Sequence, residues 1–225
     1  LMTKRYPDTE IHVSTQFNTH NIHQVKVLKD LGVKRIVLGR ETSLKTIRAI
    51  KREVDIELEV FIHGALCVSY SGNCLMSSMI GGRSGNRGEC AQTCRLPYEL
   101  YKDKQMISDQ SYLLSTKDLM TIDYIDELIE AKIDSFKIEG RMRKPEYVVE
   151  TVKAYRKAID MARKHESYVK TKDIDRLTRV FNRSFTKGFI LDEVPRLLNA
   201  SKRPNHQGVP LGRVISNSKN RIKVL

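Results

Sequence analysis

Repeated alternation between strand-like and helix-like segments is the feature that most restricts how this chain can fold. Residues 11–15 form a short β-branched run. Residues 22–31 place Ile22, Val25, Leu28 and Leu31 at helical spacing, and Gly32 stops the pattern. Residues 35–38 read as a second strand, and Ser43 opens a helix through residue 51 with Leu44, Ile47 and Ile50 on one face. In a third strand, residues 56–61, Ile56, Leu58 and Val60 alternate with Glu57, Glu59 and Phe61. The pattern breaks at Gly64. A small hairpin turning at Asp103 or Asp109 is expected within residues 98–115, and Asp118 is expected to cap a helix to residue 131. Residues 135–139 give a fourth strand, and Pro145 lies in the first turn of a long helix to residue 162. Short joins between such units imply parallel strands with right-handed crossovers. Four units are half of a (β/α)8 TIM-like barrel, and a doubly wound sheet is the competing arrangement.

The expected organisation is therefore α/β. A partial barrel, read as its C-terminal half, occupies residues 1–165, a basic helical connector residues 166–207, and the start of a small β-domain residues 208–225. The chain opens on Leu-Met and closes on a strand-like RIKVL, so a fragment of a longer protein is expected. No run of eighteen apolar residues occurs, and residues 1–10 lack the apolar stretch of a secretory leader. A cytoplasmic protein without a membrane partner is the expectation.

Between residues 64 and 95 the chain is rich in Gly, Ser and Asn, and all four cysteines lie there, spaced Cys67-x6-Cys74-x15-Cys90-x3-Cys94. A loop of that length inside a compact domain is unusual unless it is functional or clamped. Disulfides are disfavoured because nothing points to secretion. Four soft thiolates in one loop suit Zn or an iron–sulfur cluster, and the spacing alone does not choose between them. Arg83 and Arg87 sit among the loop's glycines, where an exposed backbone can approach phosphate or another anion. The same glycines would also serve simply to turn the chain around a metal.

Forty Lys and Arg against 27 Asp and Glu give a net charge of +13 and a pI of about 9.6. Such an excess favours polyanionic partners, because neutralised phosphates release counterions. In a barrel, chemistry gathers at the C-terminal ends of strands. Those ends carry Gln16, Arg40 with Glu41, His63, and Glu139 with Arg141, while Lys137 and Glu59 lie two residues inside the fourth and third strands. Glu41, His63 and Glu139 are the candidates to move protons. Gln16, Arg40, Arg83, Arg87, Lys137 and Arg141 are the candidates to bind substrate. Each has a plain structural reading beside the functional one. Glu41 can cap the next helix, Glu59 can pair with Lys137 across the sheet, and His63 can be a hydrogen-bonded core residue. Neither a Gly-x-Ser-x-Gly elbow nor a His-Glu-x-x-His helix occurs.

Six stretches are familiar together: VSTQ at 13–16, VLGRE at 37–41, EVFIHGALC at 59–67, SYSGNC at 69–74, NRGECAQTCR at 86–95 and KIEGR at 137–141. They resemble the collagenase-like peptidases, the thirty-second family among peptidases of unknown catalytic type, and within it the tRNA-hydroxylation branch. The resemblance covers most of residues 11–165. It implies a TIM-like barrel followed by a small β-domain, and a [4Fe–4S] cluster on Cys67, Cys74, Cys90 and Cys94, with Zn as the alternative. It implies hydroxylation of an RNA base, the tRNA wobble uridine, in a prephenate-dependent reaction. tRNA is then the expected partner, and a partner protein or a second copy of the chain would complete a half barrel. A peptidase, from the family name, and a non-catalytic subunit of a hydroxylation complex are the alternatives.

Overall fold

The computed structural model describes residues 2–200, 203–219 and 221–225, without the side chains of Asp109 and Gln110. Ser201 and Lys202 of the expected connector lie outside the described residues. The elements are α1 (Met2–Arg5), β1 (His12–Val13), α2 (Ile22–Asp30), β2 (Arg35–Val37), α3 (Leu44–Glu53), β3 (Glu57–Ala65) and α4 (Met76–Gly81). They continue as β4 (Tyr98–Lys102), β5 (Gln105–Ser111), β6 (Asp118–Met120), α5 (Ile125–Glu130), β7 (Ser135–Ile138) and α6 (Pro145–Arg163). Last come α7 (Thr171–Val180), β8 (Phe185–Thr186), β9 (Val214–Ser218) and β10 (Arg221–Val224).

Local chemistry explains where the helices begin. Asn21 caps α2 by accepting from the Gln24 amide at 3.0 Å, and Ser43 caps α3 by accepting from that of Thr46 at 3.3 Å. Pro145 takes the first position of α6, where its missing N–H costs nothing. Each helix then buries one stripe: Val25 and Leu28 from α2, Leu44, Ile47 and Ile50 from α3, and Tyr147, Thr151, Ala154, Tyr155 and Ala158 from α6. Ile36, Leu58 and Ile62 of the strands meet these helices in one continuous core.

Six strands form the main sheet, in the order β1-β2-β3-β6-β8, with β7 on the other edge of β3. Pairings β1–β2, β2–β3 and β3–β7 are parallel, as the alternation predicted. The α/β class with parallel strands is therefore present. One strand runs against the pattern. Asp118 begins β6 rather than capping a helix, and β6 pairs antiparallel with the last residues of β3. Ile122–Tyr124 is a 3-10 turn, and the helix proper starts only at Ile125. His63 pairs with Met120 along one edge and with Ile138 along the other, so β6 takes over the edge that β2 leaves free.

Gly64 does not break β3, which runs on to Ala65. Its φ is +107°, and a Cβ there would stand 2.4 Å from the Glu139 carbonyl oxygen, so glycine lets β3 and the end of β7 touch. The hairpin expected in residues 98–115 is β4–β5, turning at Asp103 and Lys104. Residues 166–207 hold α7 and also β8, which joins the sheet beside β6. Residues 214–224 form a two-stranded antiparallel ribbon whose described residues are all exposed. Among the described residues, no helix is long and apolar enough to cross a membrane.

Candidate functional site

The turn after β2 and the turn after β7 meet at the polar ends of the sheet. Arg40 lies over the Phe61 ring at 4.0 Å, and its Nη2 reaches Glu139 Oε2 at 3.3 Å. Burial pulls the Arg40 pKa down against the opposing pull of Glu139, Cys67 and Glu41. The other Glu139 oxygen accepts from the Arg141 backbone N–H at 2.9 Å, and the Arg141 side chain is exposed. Glu41 turns toward the cysteine loop. Its Oε1 accepts from the Ser71 backbone N–H at 2.8 Å and from Ser71 Oγ at 3.2 Å, and the Arg40 N–H donates to the same hydroxyl at 3.2 Å. Glu41 Oε2 and Arg40 Nε are buried without a hydrogen-bond partner. Buried ionised groups with open valences at one place call for water or a ligand.

Deeper along the strands, Lys137 pairs with Glu59 at 2.9 Å, as the alternation foresaw. Burial would raise the Glu59 pKa, but Lys137, the Ser135 hydroxyl and Arg35 outweigh it and hold the carboxyl below its ordinary value. Gln16 is exposed on the turn after β1. Its carbonyl oxygen lies against Gly72, where a Cβ would come within 2.1 Å of it, so the cysteine loop rests directly on the Gln16 backbone.

His63 is buried among the rings of Tyr147, Tyr155 and Phe185, at centroid distances of 5.4–5.9 Å. Its Nδ1 lies 3.3 Å from the Tyr155 hydroxyl, which donates to the Ile62 carbonyl at 2.9 Å and accepts from the Thr121 N–H at 3.0 Å. With the hydroxyl proton committed to Ile62, the Nδ1–H tautomer completes the network. Burial pushes the His63 pKa down to about 4, so the ring is neutral at pH 7.

Cys67 lies two residues past the end of β3, where the charges of Arg40, Cys74 and Cys90 act on its thiol. Crowding by protein atoms raises the Cys67 thiol, Arg40 pulls it back, and Cys74 and Cys90 push it up again. Burial likewise raises Cys94, and the other three cysteines add to the rise. Gly85 separates Cys74 from Cys90: a Cβ there would meet the Cys90 Cβ at 3.7 Å and the Cys74 carbonyl at 3.9 Å. Among the described residues, no three His, Cys, Asp or Glu side chains are gathered at metal-ligating distance. By chemistry the donor set fits a thiophilic centre, because four soft sulfur donors in one loop suit such a metal once their protons are lost to it. Arg83 and Arg87 are both exposed on the loop. Arg83 Nε is spent on the Glu89 carbonyl at 2.9 Å, while the Arg87 side chain makes no hydrogen bond or ion pair among the described residues.

Two further groups brace the site, and local patterns did not reveal either. Arg95, next to Cys94, donates to the Leu66 carbonyl at 2.9 Å, to Ser115 Oγ at 2.8 Å, and to both oxygens of Thr116. Burial and the nearby Arg183 bring its pKa down to about 10. Asp118, 2% exposed, receives Arg183 Nη2 at 2.5 Å and Nε at 3.1 Å, with Arg143 at 3.8 Å. Arg143 in turn stacks over Phe181 at 3.5 Å. The contacts of Arg95 with residues 66 and 116, and of Asp118 with Arg183, span tens of residues. An arginine beside a cysteine was their only local signal.

Residues 1–198 match one family model, and the chain belongs to Peptidase family U32. Its relatives carry both kinds of name. It is 42% identical to the tRNA hydroxylation protein P1 of Bacillus subtilis, over 81% of this chain and 46% of that protein. It is 38% identical to the 23S rRNA 5-hydroxycytidine synthase of Escherichia coli, over 97% of this chain and 35% of that protein. It is 35% identical to a collagenase of Porphyromonas gingivalis, over 82% of this chain and 48% of that protein. The chain thus spans between about a third and a half of the length of these relatives. No solved structure matches it significantly.

Proposed function

We propose that this chain is part of an RNA-hydroxylating enzyme acting on the tRNA wobble uridine at C5. What carries the reading is the similarity of this chain, over four fifths or more of its length, to proteins named for tRNA and rRNA hydroxylation, and the Cys67 thiol beside the Arg40–Glu139 pair supports it. Cys67, Cys74, Cys90 and Cys94 would hold a [4Fe–4S] cluster, which supplies one-electron chemistry when bound. A tetrathiolate Zn is the alternative and would be structural, having no open position. Dependence on prephenate belongs to the same proposal. So do a TIM-like barrel that includes the six-stranded sheet, a small β-domain containing the C-terminal ribbon, and a cytoplasmic setting.

The chain's own groups then divide the work. Glu41 and Glu139 stand at the strand ends as the proton-handling candidates. His63, enclosed and neutral, acts as a positioning residue behind them. Arg40, Lys137, Arg141, Gln16 and the loop arginines Arg83 and Arg87 supply contacts for an anionic substrate. The peptidase alternative draws on the family name and the collagenase relative. A non-catalytic subunit would need a catalytic partner.

Deleting the gene and analysing the tRNA nucleosides tests the reading. Loss of 5-hydroxyuridine derivatives, restored by the wild-type gene and not by one with Cys90→Ser, is expected. Unchanged nucleosides would refute it. Iron and sulfide in anaerobically purified protein decide the metal, and stoichiometric zinc in their place would remove the redox role.

A further inference from the structure

α3 carries a second charged feature, separate from the strand-end residues. Lys45, Arg48 and Arg52 follow an i, i+3, i+7 spacing, so they line up along about 10 Å of one helix face at 1.5 Å per residue. That stripe lies beside the buried one of Leu44, Ile47 and Ile50. All three cations are exposed, and none makes a hydrogen bond or ion pair among the described residues. They form one wall of a cleft of about 470 Å³, and Lys187 faces them from the other. Glu127 and Asp192 border the cleft too, so cations outnumber carboxylates by four to two.

Two properties make the cleft more than a solvated helix face. Its far wall is a built turn. The Leu191 and Glu193 N–H groups both donate to the Gly188 carbonyl, the Gly188 N–H donates to Thr186 Oγ1, and Ile190 is buried beneath. An aromatic ring, the half-exposed Tyr124, also lines it. Elsewhere cations on the helices and strands are often consumed: Lys51 by Asp134, Lys157 by Asp173, Arg183 by Asp118. Unpaired cations along a groove with an aromatic face are the ingredients of single-strand nucleic-acid binding, with phosphates on the cations and a base on the ring.

We infer that this cleft is a docking track for a single-stranded segment of the RNA substrate. The inference rests on the RNA reading above. Position supports it. Lys45, in the first turn of α3, stands four residues after Glu41, and a small crevice lined by Arg40, Phe61 and Ile190 shares the Ile190 wall with the cleft. A strand lying along α3 therefore runs toward the Arg40–Glu139 pair.

The test is equilibrium binding of a fluorescein-labelled tRNA anticodon stem-loop to the intact protein across a salt series. Each of Lys45→Gln, Arg48→Gln, Arg52→Gln and Lys187→Gln should lower the slope of log affinity against log salt by about 0.7, the share of one phosphate contact on a single strand. Tyr124→Leu should weaken binding about tenfold with the slope unchanged, since stacking is worth roughly one decade per base. Arg163→Gln, an exposed cation at the end of α6, is the control and should leave both unchanged. Wild-type binding with slopes untouched by the four cleft variants, or lowered equally by the control, overturns the cleft and leaves the function standing. A wild-type protein with no salt-dependent RNA binding overturns both.

Discussion

His63 stands two residues past Phe61 on a strand whose end is polar, which is why the sequence offers it as a catalytic base. The fold instead closes Tyr147, Tyr155 and Phe185 around it. A histidine with a folded pKa of about 4 and an ordinary unfolded value near 6.5 binds its proton only when unfolded between those values. Its contribution is complete above pH 6.5 and is lost as pH falls toward 4. Denaturant unfolding of the protein at pH 6.5 and pH 5 should differ by about 1.6 kcal/mol from this group alone, less than the limiting 1.36 kcal/mol per unit because the unfolded ring is half protonated at pH 6.5. In His63→Gln, a neutral side chain that still donates, that difference should largely vanish. A wild-type profile flat over the same window would show that the ring titrates normally. Asp118 makes a second case at this scale. It is the carboxylate between Arg183 and Arg143, so Asp118→Asn strands buried charge and should cost about 3–5 kcal/mol by the same measurement. A loss below about 1 kcal/mol would mean that the arginines find water.

At the scale of elements, the parallel strands and their helices were legible because each carries its own period and its own cap: Leu44, Ile47 and Ile50 behind Ser43, or Ile56, Leu58 and Val60 against Glu57 and Glu59. β6 and β8 were not. Three and two residues long, they have no room for a period, and they exist because β3 outruns β2 and leaves an edge to pair. The cysteine loop was legible as a unit from its composition, whereas its fastenings were not, since Glu41–Ser71 and Arg95–Thr116 join residues far apart in the chain. Those fastenings predict how the loop fails. Gly72 has φ +78° and no room for a Cβ against Gln16, so Gly72→Ala should lift the loop from the sheet. Arg95→Ala abandons two carbonyls and two hydroxyls and should cost roughly 2–4 kcal/mol. Both variants should lower the metal content of anaerobically purified protein while far-UV circular dichroism stays near wild type. Full metal occupancy in both would show that the cysteines do not depend on where the sheet holds them.

For the whole molecule, what lies within the folded body is decided by burial rather than by composition. Residues 166–207 read from the sequence as a basic helical connector, yet Arg183 is 3% exposed, Leu177 is fully buried, and Ile190 and Leu198 belong to the core. This stretch should be inseparable from the sheet. Residues 208–225 differ: among the described residues there none is buried and none belongs to the core, and the ribbon's ladder and the Arg213–Leu225 pair are internal to it. Among the described residues, two side chains tie it to the body: Asn182 Nδ2 donates to the Gly208 carbonyl at 3.3 Å, and His206 Nδ1 accepts from the Gly208 N–H at 3.4 Å. Ending the chain after Gln207 should therefore leave the stability of the body within about 2 kcal/mol of wild type, the worth of those two bonds. Ending it before Phe181 removes β8, the Arg183 partner of Asp118, and Ile190 with Leu198. That shorter chain should lose several kcal/mol by the usual cost of deleted core side chains and an unpaired buried carboxylate, and so fail to unfold cooperatively. Thermal melts of the two truncations, followed by near-ultraviolet circular dichroism, separate the outcomes. A cooperative transition in the shorter chain would place the boundary of the folded body at the end of α7 and make β8 an appendage, whereas its absence puts β8 and the Asp118–Arg183 pair among the parts without which the sheet does not close over its core.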